Sequence, residues 1–351
     1  MSEPARERVE QEPSEDPKQD PEAPIETVEV PCNNCGAVAY EPIAKGTDFE
    51  YETTSAEFNV VRCAECALVY LNPRPANAEL PRIYPQEYLA YNMVDEDIKK
   101  KKSLAARLRQ RFYTKKVKNA LTFLDGGAER SELDFLDIGA GDGRLLNWYR
   151  QVEGIEMHTH AVEMNPLAAA YLRKQGHTVY EGIYDDVEVP EERFDIVHSS
   201  HVIEHVADPK EFSAKSRRLL KPGGLYLVET PNIDCADARM FRKRYWGGYH
   251  FPRHWTFYTP ETLHKSLEDV GLKVLDTRFF PNPVFWVWTM HHALRGSGFP
   301  GFIWRRFPVV GVFNNSIGNV FRLGTFTMID RFLSLFKRGR MGSMQVIARK
   351  E

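Results

Sequence analysis

The middle of the chain alternates short apolar runs with longer segments of helical periodicity. Strand-like runs lie at 133–136, 157–162, 194–200 and 225–228, and helix-like stretches separate them. Strands that alternate with helices predict crossover connections and hence a largely parallel sheet. Two further strands are expected near 272–280 and 343–350, the second with alternating apolar positions. The pattern predicts an α/β fold.

A glycine-rich loop follows the first apolar run, and its sequence is Asp137-Ile138-Gly139-Ala140-Gly141-Asp142-Gly143. Glycines in such a turn let the backbone approach a bound nucleotide closely. A dinucleotide fingerprint needs a glycine at the sixth position counted from Gly139, where Arg144 stands. Alternate glycines with an acid two residues before the first instead suit a ligand that carries a sulfonium and an amino-acid tail.

Glu163 ends the next strand, about 20 residues after the loop, where a carboxylate can accept hydrogen bonds from both ribose hydroxyls. Such an acid is found in NAD enzymes and methyltransferases alike, so it indicates nucleoside binding without choosing the cofactor. Two later segments follow in order, namely 193–206 and the turn Leu220-Lys221-Pro222-Gly223-Gly224. Together these four motifs resemble the class I S-adenosylmethionine (SAM) methyltransferases over residues 131–280 and the last strand.

The resemblance implies a Rossmann-like seven-stranded sheet whose sixth and seventh strands are antiparallel. The residues it places at the cofactor are Asp137, Gly139, Ala140, Gly141, Asp142, Glu163, Met164, Gly182, Ile183 and His201. Asp137 and the glycines would shape the methionine end, Glu163 would hold the ribose, and Met164 would pack on the adenine. Position 183 often carries an acid in this family, so Ile183 implies that backbone groups recognise the adenine amino group.

Four cysteines form two pairs, Cys32 with Cys35 and Cys63 with Cys66. Two such pairs allow four thiolates to converge on one tetrahedral Zn²⁺, which leaves no open position for catalysis. Two disulfides are the alternative, which a cytosolic compartment disfavours. We therefore expect a structural zinc, and we expect Cys235 to be an ordinary buried thiol.

An N-terminal zinc module joined to such a core resembles the sugar C-methyltransferases and related small-molecule methyltransferases. In that family, tyrosines after the module help to close the active site, which makes Tyr84, Tyr88 and Tyr91 candidate substrate contacts. They could equally pack the module onto the core. The large second Rossmann-like domain of the sugar enzymes has no counterpart here, so the resemblance does not imply a deoxysugar acceptor.

The segment 245–255, after the fifth strand, is rich in glycine, aromatic residues and histidine. It is expected at the edge of the sheet where cofactor loops converge, and it suits an acceptor pocket that includes Tyr249. His254 is the first candidate for a general base and His250 the second, because histidine accepts a proton near neutral pH. Both histidines could instead make structural hydrogen bonds or orient the substrate.

Roughly 60 residues, 281–340, separate the last two predicted strands, far more than an ordinary hairpin connection. The insertion is rich in large aromatic residues and in arginine, which is typical of segments at a membrane interface. A lid over the active site and a dimer contact are the alternatives. We expect peripheral contact with an anionic membrane and a lipid-linked or amphiphilic acceptor.

Two other patterns are interpreted as incidental. The sequence His201-Val202-Ile203-Glu204-His205 matches a zinc-protease motif, but it directly follows a strand, whereas the protease motif needs a helix. The spacing of apolar residues over 99–118 predicts a basic amphipathic helix. Such a face is usually solvated, although it could meet the phosphates of RNA or an anionic membrane.

The composition agrees with a soluble cytoplasmic enzyme, located at the inner face of the membrane if the insertion binds lipid. The 46 basic and 49 acidic residues give a net charge of −3, and no secretion signal or membrane span is recognisable. The expected organisation is a disordered acidic tail (1–28), a zinc-binding module (29–75), a tyrosine-rich and basic helical lid or linker (76–130), the SAM-binding core (131–280), the insertion (281–340) and the last core strand (341–351).

The expected activity is methyl transfer from SAM by in-line displacement to a small-molecule, sugar or lipid-linked acceptor. An RNA methyltransferase that grips the backbone with the zinc module and basic helix is one alternative. The strand exit Ser199-Ser200-His201-Val202 differs from the sequence that many base-amine methyltransferases use. A non-catalytic SAM-binding module is the other alternative.

Overall fold

A computed structural model describes residues 20–85, 116, 118–124, 126, 130–312, 316–336 and 341–351. The acidic tail up to residue 19, Tyr88, Tyr91 and nearly all of the basic segment 99–118 lie outside the described residues.

The central sheet has seven strands, which confirms the predicted fold class. Its strands are β6 (Glu132–Ile138), β7 (Glu156–Glu163), β8 (Thr178–Glu181), β9 (Phe194–Ser200), β10 (Leu220–Pro231), β12 (Leu272–Phe280) and β13 (Ser343–Lys350). They lie in the order β12-β13-β10-β9-β6-β7-β8. Strands β8, β7, β6, β9 and β10 are mutually parallel, while β13 runs antiparallel to both β10 and β12.

Helices cover both faces of the sheet, so the central strands are buried along most of their length, as parallel sheets require. The helices of the core are α2 (Arg144–Tyr149), α3 (Pro166–Lys174), α4 (Pro209–Leu219), α5 (Ala236–Phe241) and α6 (Pro260–Glu268). Capping residues just before the helices determine where the helices begin. Asn165 caps α3 by accepting hydrogen bonds from the N–H groups of Leu167 and Ala168, and a proline then occupies the first helical position.

The N-terminal module shares a sheet with the core. Strands β2 (Tyr40–Gly46), β3 (Phe58–Cys63) and β4 (Val69–Leu71) are antiparallel, and β11 (Thr256–Phe257) from the core pairs with β4. The short strands β1 (Thr27–Val28) and β5 (Arg74–Pro75) form a separate pair, and α1 (Leu80–Ile83) follows. The pairing of β11 with β4 holds the module against the segment that contains the candidate histidines.

The described residues between β12 and β13 form three helices, which are α7 (Pro283–Gly296), α8 (Gly301–Trp304) and α9 (Ile317–Phe336). Helix α7 is largely buried and packs against the short helical turn Gly247–Tyr249, where the Gly247 N–H donates to the Thr289 hydroxyl at 2.8 Å. Helix α9 packs on α7, where Phe326 stacks on Trp286. None of the helices in the described ranges combines the length and hydropathy that crossing a bilayer requires.

Candidate active site

The glycine-rich loop lies between β6 and α2 in a backbone conformation that requires glycine. Gly139, Gly141 and Gly143 have φ values of +74°, +53° and +70°. A Cβ atom added to Gly139 would lie 2.8 Å from a methyl group of Val202. Substitution here would therefore strain the backbone and push the loop away from the loop after β9.

A buried charge network lies directly beneath this loop. His198 on β9 is the register partner of Asp137 on β6, and its Nδ1 lies 2.8 Å from the Asp137 carboxylate. Its Nε2 lies 3.2 Å from Glu229, which also contacts Lys116 and accepts a hydrogen bond from Gln345. Burial alone would lower the pKa of His198, but the two carboxylates raise it to about 9. His198 is therefore protonated at neutral pH and donates to both acids.

Glu163 connects the loop to the end of β7. One carboxylate oxygen accepts from the Gly141 N–H at 2.8 Å, and the other accepts from the Asn165 N–H at 2.9 Å. Burial raises the pKa of this carboxyl group. The acid thus lies beside the glycines, at the position where the sequence predicts a partner for ribose hydroxyls.

Two apolar side chains are left uncovered beside Glu163. Met164 follows β7 and is 56% exposed, while Ile183 follows β8 and is 52% exposed. Gly182, with φ +141°, donates its N–H to the Glu163 carbonyl at 3.0 Å and brings the two strand ends together. A pair of exposed apolar side chains at the carboxyl ends of neighbouring strands suits the flat ring of an adenine.

The remaining loop residues make hydrogen bonds to neighbouring backbone groups. Ala140 donates its N–H to the Val162 carbonyl at 3.3 Å, and the Asp142 carboxylate accepts from the Arg144 N–H at 3.1 Å at the start of α2.

His201 stands at the exit of β9 in a left-handed conformation with φ +55°. Its Nδ1 lies 3.0 Å from the carboxylate of Glu204, which is fully buried and also accepts from the Thr230 hydroxyl at 3.1 Å. Burial would lower the pKa of His201, but Glu204 raises it. Residues 201–206 form turns, so the protease motif lacks its helix, and that hypothesis is excluded.

His254 and His205 lie edge to face, with ring centroids 4.6 Å apart. His254 Nδ1 lies 2.8 Å from the Gly248 carbonyl, and His205 Nδ1 lies 3.1 Å from the Arg253 carbonyl. A carbonyl only accepts, so each neutral ring carries its proton on Nδ1 and keeps an Nε2 lone pair. Burial lowers the pKa of His254 well below its usual value and that of His205 to about 4.

Glu204, His205 and His254 each offer one ligand atom, and these atoms lie within 4.8 Å of one another. One carboxylate and two neutral imidazoles can accept a proton, and they also form a donor set that a divalent cation tolerates. The Tyr84 hydroxyl lies 2.9 Å from His205 Nδ1, which places this candidate tyrosine at the same cluster.

His250 faces the interior behind this cluster. Its Nδ1 contacts the carboxylate of Glu50, which comes from the N-terminal module, and Trp288 of α7 stacks on its ring at 5.1 Å. His292 Nε2 lies 3.4 Å from the other oxygen of Glu50. Burial raises the pKa of Glu50 and lowers that of His250, which keeps the pair neutral overall.

A buried ion pair that no local motif predicts fixes the histidine segment to the module. Both terminal nitrogens of the Arg253 guanidinium reach the Asp48 carboxylate, at 2.7 and 3.1 Å, and Nε donates to the Ile83 carbonyl at 2.6 Å. Burial alone would raise the pKa of Asp48, but Arg253 holds it below its usual range.

Tyr249, predicted to contact the substrate, is fully buried in the core. It packs edge to face on Trp246 and Phe257, and its hydroxyl donates to the Arg242 carbonyl at 2.5 Å. The structure therefore gives Tyr249 a packing role.

The four cysteines converge through two turns of the same construction. Cys32 and Cys63 each accept, through their carbonyls, a hydrogen bond from the residue four positions later, and both of those residues have positive φ. The Cys32 and Cys66 sulfurs are 3.4 Å apart, those of Cys35 and Cys63 are 3.5 Å apart, and all four lie within 4.8 Å of one another. Four thiolates around a tetrahedral zinc would lie about 3.8 Å apart.

Comparisons with known proteins agree on one family. The family described as "Methyltransferase domain" matches residues 104–277. A ubiquinone biosynthesis O-methyltransferase of Cereibacter sphaeroides is 32% identical over 170 residues, which cover 45% of this chain and 68% of that protein. One from Ruegeria pomeroyi is 32% identical over 184 residues, covering 47% and 71%. A SAM-dependent methyltransferase structure from Archaeoglobus fulgidus shares 18% identity over 69% of this chain and 94% of its own, with a TM-score of 0.42.

Proposed function

Since this chain belongs to the class I SAM-dependent methyltransferases, we propose that it methylates a hydroxyl group of a small, amphiphilic acceptor with His254 as the general base. The observation that supports this role is the tautomer of His254. Its Nδ1–H is committed to the Gly248 carbonyl at 2.8 Å, so the lone pair of a neutral imidazole remains on Nε2.

The residues around the glycine loop fit the cofactor. The glycine backbone and Asp137 would hold the methionine end, Glu163 would accept from the ribose, and Met164 with Ile183 would enclose the adenine. His201, at the strand exit, would border the sulfonium end. SAM supplies a methyl group on a positively charged sulfur, so the protein mainly has to align the acceptor and exclude water.

Proton removal is the step that these residues can assist. A hydroxyl oxygen becomes a stronger nucleophile as its proton passes to a base, and this base must be neutral beforehand. Burial lowers the pKa of His254 and so keeps its ring neutral at pH 7. A carboxylate oxygen of Glu204 lies within 4.8 Å of a ring nitrogen of His254. This negative charge would stabilise the imidazolium that forms when His254 accepts the proton.

The acceptor class rests on the relatives and on the insertion. The relatives named above are O-methyltransferases of ubiquinone biosynthesis, so a hydroxyl on a lipid-linked ring is the acceptor we favour. Helix α7 of the insertion reaches His250, which lies behind the cluster of Glu204, His205 and His254, through Trp288. A sugar or another soluble hydroxyl compound is compatible with the same chemistry.

Methyl-labelled SAM incubated with the protein and a cell lysate would test this proposal. We expect label in the organic or low-mass fraction, whereas label confined to nuclease-sensitive material would instead indicate an RNA acceptor. SAM binding without any transfer would indicate a non-catalytic module.

The base would be tested with His254→Ala, which should cut turnover by about a hundredfold and leave SAM binding intact. The matched control is His158→Ala, at a half-buried histidine on β7 that lies 3.5 Å from Glu132. Equal turnover of the His254 variant and the control would remove His254 from the mechanism.

We also propose that Cys32, Cys35, Cys63 and Cys66 hold one structural zinc ion. The two sulfur separations of 3.4 and 3.5 Å, the approach of all four sulfurs to within 4.8 Å and the two matching turns support a four-thiolate site. All four ligand positions would be filled by protein, so the ion would stabilise the module and take no part in catalysis.

A further inference from the structure

One face of helix α9 packs against helix α7 and the residue before it. Asp330 is buried and accepts hydrogen bonds from Trp286 Nε1 at 2.7 Å and from the Asn282 N–H at 3.0 Å. Phe326 stacks on Trp286 with ring centroids 5.7 Å apart and an interplanar angle of 5°. These contacts fix which side of the helix faces outward.

The outer face of α9 is mostly apolar, with Thr325 and Arg331 as its polar members. Its large side chains, which are 59–89% exposed, are Ile317, Val320, Phe321, Met328, Phe332, Leu335 and Phe336. At 100° per residue they occupy less than half of the helix circumference. The other exposed residues of the helix are Gly318, Gly324, Thr325 and Arg331.

This surface is larger than ordinary solvent exposure would explain. An aromatic side chain offers roughly 150–250 Å², and the exposed fractions above therefore imply an apolar face on the order of 700 Å². The largest apolar patch on a typical monomer is about 300–600 Å² and is often a binding surface. A partner that covers a long, narrow apolar strip is therefore expected.

The charge of the insertion indicates which kind of partner covers the outer face of α9. Residues 283–343 contain a single acid, the buried Asp330. Their cations are Arg295, which pairs with Glu52 of the N-terminal module at 2.6 Å, and Arg305, Arg306, Arg322, Arg331, Lys337, Arg338 and Arg340. A second copy of this chain would bring the same positive charge to the interface, whereas an anionic lipid surface would neutralise it.

We propose that the outer face of α9 docks on an anionic lipid bilayer, with the helix lying flat in the interfacial region. The helix lies flat because its inner face is bound to α7 and cannot be surrounded by lipid. Helix α7 contacts α9 through Trp286 and His250 through Trp288, so it links the proposed lipid-facing helix to the histidine segment. The idea that a lipid-linked acceptor reaches the histidines past α7 rests on the proposed function, whereas the docking of α9 on lipid does not.

Sedimentation with phosphatidylcholine vesicles, with and without phosphatidylglycerol, would test the docking surface. The full chain should bind the anionic vesicles, and Phe321→Glu combined with Phe332→Glu should weaken binding by about tenfold or more. Both side chains are exposed, so the fold should be retained. Leu167→Glu is the matched control, because Leu167 is 82% exposed on α3, and this variant should bind like the unaltered chain.

Failure of the unaltered chain to bind, or undiminished binding by the double variant, would overturn the proposal. Sedimentation velocity adds a third outcome. A dimer that the double variant dissociates, without vesicle binding, would make the outer face of α9 an interface between copies and would also overturn it. SAM binding and methyl transfer in detergent solution, measured on the same variants, report separately on the proposed function.

Discussion

The buried ion pair between Arg253 and Asp48 gives the most direct test of how the histidine segment is held. Replacing Arg253 by alanine removes a guanidinium that is fully buried, with bonds to both Asp48 carboxylate oxygens. It also leaves the Ile83 carbonyl without its donor.

The size of the effect follows from what remains. The Asp48 carboxylate would stay buried, with hydrogen bonds from the Tyr51 and Thr53 N–H groups at 3.0 Å but no countercharge. Removing one partner of a buried pair typically costs about 3–5 kcal/mol. At about 2–4 °C per kcal/mol, the expected fall in melting temperature is roughly 6–20 °C.

Urea denaturation and calorimetry would measure this loss. Arg218→Ala is the control, since Arg218 pairs with Glu211 at a surface site where 42% of its side chain is exposed, and such pairs contribute about 1 kcal/mol or less. The double variant Arg253→Met with Asp48→Leu should be less destabilised than the sum of the single changes. A loss below about 1 kcal/mol for Arg253→Ala would refute the assignment of this pair as the anchor.

Two further predictions concern the network beneath the loop and the cysteine cluster. Because the carboxylates raise the pKa of His198 to about 9, its protonated form should contribute about 3 kcal/mol below pH 6.5, a contribution lost as the pH rises through 9. Urea unfolding of the unaltered chain and of His198→Asn at pH 6–10 should show their difference shrinking across this window; a constant difference would contradict it. Elemental analysis should find one zinc per chain, retained in Cys235→Ala and lost in Cys66→Ser. Equal zinc in both variants would rule out the four-thiolate site.

The sheet and its glycine loop were predictable because their signals are local. Apolar runs, the helices between them and the glycines at 139, 141 and 143 lie within short windows of sequence. The last strand was predictable for the same reason, since the sequence of Ser343–Lys350 shows its own alternation, whereas its antiparallel orientation was implied by the family resemblance.

The surroundings of the candidate site were not predictable, because they join distant parts of the chain. Asp48 and Arg253 are 205 positions apart, and nothing near either residue indicates the other. His198 lies within an apolar run, and its role emerges only from the register that sets it opposite Asp137. The burial of Tyr249 was not predictable either, because an aromatic residue beside glycines is as compatible with a packed core as with a pocket.

The placement of β13 has a consequence for biosynthesis. The strand fills the gap between β10 and β12, yet it is translated only after the whole of the insertion. Until then the nascent chain carries two unpaired strand edges, and such edges promote association with other chains. Truncation before Ser343 would leave this gap permanently open, so we expect the shortened chain to be a substrate for chaperones and proteases rather than a smaller enzyme.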